Sequence, residues 1–140
     1  MIMVFGILSQ IEFVPVIASV VVSFLLGWLY YSPAVAGKTW MKLQKIDPRK
    51  AKGKSGMGKM MVGILVALFV SACTISYLVN SLGVTSIVGG VGLGLFMWLG
   101  LVASTMAMNY MHGKSLGLYT IDVVYHAITF AIAGAIIVAF

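Results

Sequence analysis

The chain has 140 residues, of which 61% are hydrophobic and 9% charged, with a formal net charge of +6. A soluble domain carries about 25% charged residues, so this chain has too little polar surface to cover itself in water, and lipid must cover it. The basic residues lie beside apolar runs of spanning length, which reads as membrane topology rather than as a nucleic-acid footprint.

The chain opens on MIMVFGILSQIEFVP, which is apolar but carries no positively charged n-region and no small-residue cleavage site at a suitable distance. A cleaved signal peptide is therefore not expected. A helix needs about 20 apolar residues to cross a bilayer, and four stretches reach that length. The first runs from about Ile11 to Tyr31. Ser9 and Glu12 have capping-box spacing at its start, Pro15 falls in the first turn of a helix that begins near Glu12, and Pro33 stops it. Residues 1–8 either lie along the interface or extend this helix outward.

The one hydrophilic segment follows, residues 37–59. It holds Lys38, Lys42, Lys45, Arg49, Lys50, Lys52, Lys54 and Lys59, eight of the nine basic residues. Trp40 and Met41 beside it suit an interfacial anchor. The second spanning stretch runs from about residue 60 to 82, the third from 87 to 111 and the fourth from 116 to 140, none with an interior proline. The turns between them, Asn80-Ser81-Leu82-Gly83 and His112-Gly113-Lys114-Ser115, are short enough to force antiparallel neighbours. The runs are continuous, whereas barrel strands alternate with period two. The expected fold is one all-α membrane domain over residues 1–140, a four-transmembrane-helix antiparallel bundle. Lys114, the remaining basic residue, shares a side with the first loop. The positive-inside rule then puts both loops in the cytoplasm and both termini outside, N-out/C-out.

Inside lipid, helices associate largely by close packing through small residues. Candidate stripes are Ser19, Ser23 and Gly27 on the first helix, and Gly63, Ala67 and Ser71 on the second. The third offers Gly90 and Gly94, and the fourth Ala127, Ala131, Ala135 and Ala139. Either intrachain packing or dimerisation would use them.

Ionisable residues within a membrane helix default to a functional hypothesis. Glu12 reads as a solvated first-turn carboxylate that favours the helix dipole. Asp122 and His126 are four apart and share a face of the fourth helix, with Tyr125 and Thr129 beside them. Thr105, Asn109 and His112 share a face at the same end of the third helix. A polar cluster is expected at the basic end of the bundle, from Tyr31, Ser32, Thr105, Asn109, Asp122, Tyr125 and His126. Three readings stay open for it: a hydrogen-bonded clamp that fixes helix register, a proton or ion relay through the Asp–His pair, or a site for a lipid or small-ligand head group. No metal-ligand spacing and no catalytic motif occurs, so neither a metal, a cofactor nor enzymatic activity is expected. Cys73, the sole cysteine, reads as inert packing. The nine basic residues, Lys114 included, read as topology determinants lying on anionic lipid head groups.

The segment Trp28-Leu-Tyr-Tyr-Ser-Pro-Ala-Val-Ala-Gly-Lys-Thr-Trp-Met41 resembles the WYSP…GK.WM pattern of the small membrane family catalogued as domain of unknown function 1761 (DUF1761). Gly100-Leu-Val-Ala-Ser-Thr-Met-Ala-Met-Asn-Tyr110 and Leu118-Tyr-Thr-Ile-Asp-Val-Val-Tyr-His126 resemble its third- and fourth-helix patterns. The resemblance implies a four-helix protein of a prokaryotic cytoplasmic membrane with no established activity. It also implies a shared core of Tyr31, Ser32, Pro33, Gly37, Trp40, Asn109, Tyr125 and His126. The expected role is a structural or accessory subunit of a larger membrane complex, whose partners are the bilayer and other membrane subunits or a second copy, without nucleic acid. The alternative is a small oligomeric transporter or proton-conducting protein using Asp122 and His126.

Overall fold

A computed structural model describes residues 6, 8–45, 57–111, 113 and 115–140. The chain is helical, with no strand among the described residues. The elements are α1 (Phe13–Tyr30), α2 (Gly37–Leu43), α3 (Met57–Ser81), α4 (Ile87–Met97), α5 (Ser104–Met111) and α6 (Leu116–Ala139). A π-helical segment, Trp98–Ala103, joins α4 to α5. Four helices are long and apolar enough to cross a membrane: Phe13–Tyr30, Met61–Ser81, Ile87–Met111 and Leu116–Ala139. Arg49, Lys50, Lys52, Lys54, His112 and Lys114 lie outside the described residues, as do most of residues 1–8.

The ends of these helices follow from local chemistry. The regular helix of α1 begins at Phe13, with Glu12 as N-cap and Pro15 in the first turn, where its missing N–H costs nothing. The expected capping box does not form. Ser9 Oγ donates back to Gly6 O, and the Glu12 N–H is taken by Ser76 Oγ of α3 at 3.0 Å. Asn80 Nδ2 donates to Gln10 O at 2.8 Å, so the end of α3 holds the start of α1 from two positions. Gly83, at φ +65°, closes α3. The N–H of Val84 reaches Val79 O and that of Gly83 reaches Asn80 O, the Schellman pattern that needs a left-handed residue. Ser86 caps α4 and Ser115 caps α6 through their hydroxyls.

Paired contacts run in opposite directions along neighbours. Gln10 and Glu12 meet Asn80 and Ser76. Ser23 and Tyr31 meet Tyr125 and Asp122. Gly90 and Gly94 meet Gly134 and Phe130. Thus α1 is antiparallel to both α3 and α6, and α4 is antiparallel to α6. The apolar core lies between α3, α4 and α6, around Ile75, Val79, Met97, Phe130, Ala133 and Ile137.

The small-residue stripes divide. Ser19, Ser23 and Gly27 are buried. Gly90 and Gly94 pack backbone to backbone on α6: a Cβ at Gly94 would stand 2.1 Å from Phe130 O, and one at Gly90 2.3 Å from Gly134 O. On α6 the close face is Thr129, Ala133 and Gly134, while the expected row of alanines lies to its side. On α3 only the Ser71 end of the stripe meets the other helices. Gly63 and Ala67 are exposed, and a Cβ at Gly63 would meet nothing within 4 Å.

Candidate functional site

The turn after α1 is closed on itself. Val35 and Gly37 donate to Ser32 O, and Ala36 donates to Tyr30 O. Any side chain at Gly37 would collide with this turn, since a Cβ there falls 2.2 Å from Tyr31 O. The tight return sends α2 back beneath the bundle, where Leu43 comes within packing distance of Gly117 at the start of α6. α2 is amphipathic about that contact: Lys38, Thr39 and Lys42 are exposed, and Trp40 is turned inward.

Trp40 therefore does not anchor in head groups. Its indole Nε1 donates to Asp122 Oδ1 at 2.9 Å. The phenol of Tyr31 donates to the same oxygen at 2.7 Å, and the phenol of Tyr110, from α5, donates to Oδ2. Asp122 is 8% exposed. Its carboxylate is thus met by donors from the end of α1, from α2 and from α5. An ionised carboxylate only accepts hydrogen bonds, and phenol and indole groups supply O–H and N–H donors on large apolar rings that suit a buried, half-apolar setting. Tyr31 packs edge-on against both Trp40, at 5.6 Å, and Tyr125, at 5.2 Å.

The same pattern extends to the backbone of α6. Tyr30 Oη donates to Ile121 O and Trp98 Nε1 to Val123 O, each at 3.0 Å. The carbonyls on both sides of Asp122 therefore also carry an aromatic donor from another helix. Tyr125 Oη returns the arrangement to α1, donating to Ser23 O.

Of the residues expected in the cluster, the structure brings Tyr31, Asp122 and Tyr125 together. His126 stacks beside Tyr125 at 5.1 Å, while the Asp122 carboxylate turns to Tyr31, Trp40 and Tyr110 instead of to it. Ser32 sits in the turn, its carbonyl closing the turn and its hydroxyl buried without a hydrogen-bond partner. Thr105 and Asn109 do not join; both are exposed, and Thr105 Oγ1 back-bonds to Leu101 O.

The π-helical segment explains that correction. Its i→i+5 bonds widen the turn, which advances the inward face along the sequence. The face that starts at Gly90, Gly94 and Met97 continues through Ala103 to Tyr110, not through Leu101 to Met108 as 3.6-residue periodicity would carry it. Side chains cover carbonyls of the widened turn: Ser104 takes Gly100 O, Thr105 takes Leu101 O, and Tyr119 takes Ala103 O. Lipid cannot satisfy such groups, so the protein must.

Trp40, Tyr110, Tyr30 and Trp98 are the residues of this site that composition and periodicity do not single out. The available signal was the carboxylate itself. A buried Asp needs donors, and nearly all the tyrosines of the chain lie near this end.

Lys38, Lys42, Lys45 and Lys59 are exposed on the side of α2 and the start of α3. Among the described residues no group of three or more His, Cys, Asp or Glu could hold a metal ion.

A family model described as protein of unknown function (DUF1761) matches residues 14–138. No curated protein and no solved structure matches the chain. With nearly its whole length covered by the family model, the chain belongs to this family.

Proposed function

We propose that this member of the DUF1761 family is a non-enzymatic membrane subunit, whose caged carboxylate locks the first, third and fourth spanning helices to the short helix α2. The observation that carries this reading is the engagement of both Asp122 oxygens by Tyr31, Trp40 and Tyr110. A carboxylate held by donors from three separate segments is suited to fixing geometry and poorly suited to proton exchange or turnover. Buried polar groups of this kind hold register when every member is satisfied. In this proposal the basic side faces the cytoplasm, the termini face outward, and Lys38, Lys42, Lys45 and Lys59 rest on anionic head groups, at about 1 kcal/mol each. The locked bundle then serves as a fixed element within a larger assembly.

The test has two parts. Gentle solubilisation from the native membrane is expected to recover the chain with other membrane subunits, and a monodisperse homomer with a continuous polar pore would overturn the reading. The Asp122→Asn variant is expected to lose about 1–2 kcal/mol of stability, because the amide keeps an acceptor for Tyr31 and Trp40 but turns a donor toward Tyr110. A relay would behave differently: Asp122→Asn would abolish proton flux in proteoliposomes while leaving thermal stability intact.

A further inference from the structure

Between α1, α3 and α6, on the far side of Tyr125 from the cage, lies a small cavity lined by Ser19, Ser23, Ser71 and Thr129 together with Ala72 and Ile75. Four hydroxyls around one cavity in the apolar half of a bundle need an account. Two of them are satisfied locally. Ser19 Oγ donates to Pro15 O at 2.8 Å and Thr129 Oγ1 donates to His126 O at 3.0 Å, which leaves each with free acceptor capacity. The other two are not. Among the described residues the hydroxyls of Ser23 and Ser71 have no hydrogen-bond partner, although Ser23 is only 3% exposed. Neither oxygen is wholly shut in, unlike Ser32 Oγ, so both reach the cavity and whatever it holds.

We propose that this cavity binds an ordered water molecule, which joins α1, α3 and α6 through the four hydroxyls near the middle of the membrane. The room available is that of about one water. The chemistry is complementary: Ser23 and Ser71 have O–H groups to donate, and Ser19 and Thr129 have lone pairs to receive. A buried water makes about three hydrogen bonds to otherwise unsatisfied groups, and this site offers them from three helices. The water gives α3 a polar tie to α1 and α6 in a stretch where it otherwise offers small and aliphatic side chains. It also extends the polar region beyond the cage, because Tyr125 and Thr129 link the cavity walls to the backbone on either side. Ile75, fully buried and one turn farther along α3, also lines the cavity.

The test is water-edited solid-state NMR on the full chain in lipid bilayers. Magnetisation from water is expected at Ser23, Ala72 and Thr129, and not at the equally buried Val16 and Ile137. Ser71→Val removes one hydroxyl and fills the room, so transfer at Ser23 and Thr129 should fall severalfold while the signals of Asp122 and Trp40 stay in place. Ser23→Ala serves the same purpose if that variant does not fold. Absence of transfer at Ser23 and Thr129 in the wild type would overturn the proposal. So would xenon shifting Ala72 under pressure, since that marks a dry cavity.

Discussion

The two ends of α6 are held by different chemistry. Near its start, phenol and indole donors from the end of α1, from α2, from the π-helical segment and from α5 converge on one carboxylate and on the carbonyls beside it. Near its end, α6 meets α4 by laying backbone on backbone at Gly90, Gly94 and Gly134. The first contact is specified by atom type and the second by size. A glycine contact ignores chemistry but admits no added carbon. A carboxylate cage admits small changes of shape but not the loss of its acceptor. The membrane explains why both are needed: without a hydrophobic force between helices, van der Waals contact and interhelical hydrogen bonds carry the association.

Breaking the size-specified end should have the largest effect. In Gly134→Ala the new Cβ would stand 2.0 Å from Gly90 O, and neither backbone can yield locally. The expected loss is about 3 kcal/mol, the upper end for overpacking, and Gly134→Leu should fail to assemble. Gly63→Ala and Gly92→Ala provide the controls. An added Cβ at either meets nothing within 4 Å, so both should stay within about 0.5 kcal/mol of wild type. Unfolding followed in one detergent compares all four, and equal losses at Gly92 and Gly134 would show that contact is not what matters.

Breaking the chemically specified end comes next. Asp122→Ala leaves the Tyr31, Trp40 and Tyr110 donors without their acceptor, and about 2–3 kcal/mol should be lost. Trp40→Phe is gentler, since the ring can still pack against Tyr31 while a single N–H is removed. It should cost about 1 kcal/mol, and hydrogen exchange should rise in α2 before it rises in α6. If exchange rises equally everywhere, α2 is not tied to the bundle through Trp40.

Much of this was legible from residue order. The spanning stretches follow from hydropathy alone, because lipid permits few other solutions. Asp122, Tyr31 and Tyr125 were also foreseeable: an acidic residue in a membrane helix must be paired, and these lie at one depth. Two kinds of feature were not visible. Gly63, Gly92 and Gly94 look alike in sequence, yet only Gly94 touches a neighbour, because helix rotation is set by the assembled bundle. Trp40 carries both an interfacial character and a donor, and only the closed turn at Ser32–Gly37 decides that it points inward.

The same limit governs the third spanning helix and gives the finest test. With uniform α-helical periodicity, the face of Gly90 and Gly94 would continue to Met108. The widened turn at Trp98–Ala103 advances it to Tyr110 instead. Asn109→Ala should therefore change stability by no more than about 0.5 kcal/mol, whereas Tyr110→Phe, one residue away and the smaller chemical change, should lose about 1 kcal/mol with its hydrogen bond. The reverse order would mean that the cage draws on Asn109 and not on Tyr110. The expected order would show that a widened turn in a membrane helix chooses which side chain reaches the carboxylate.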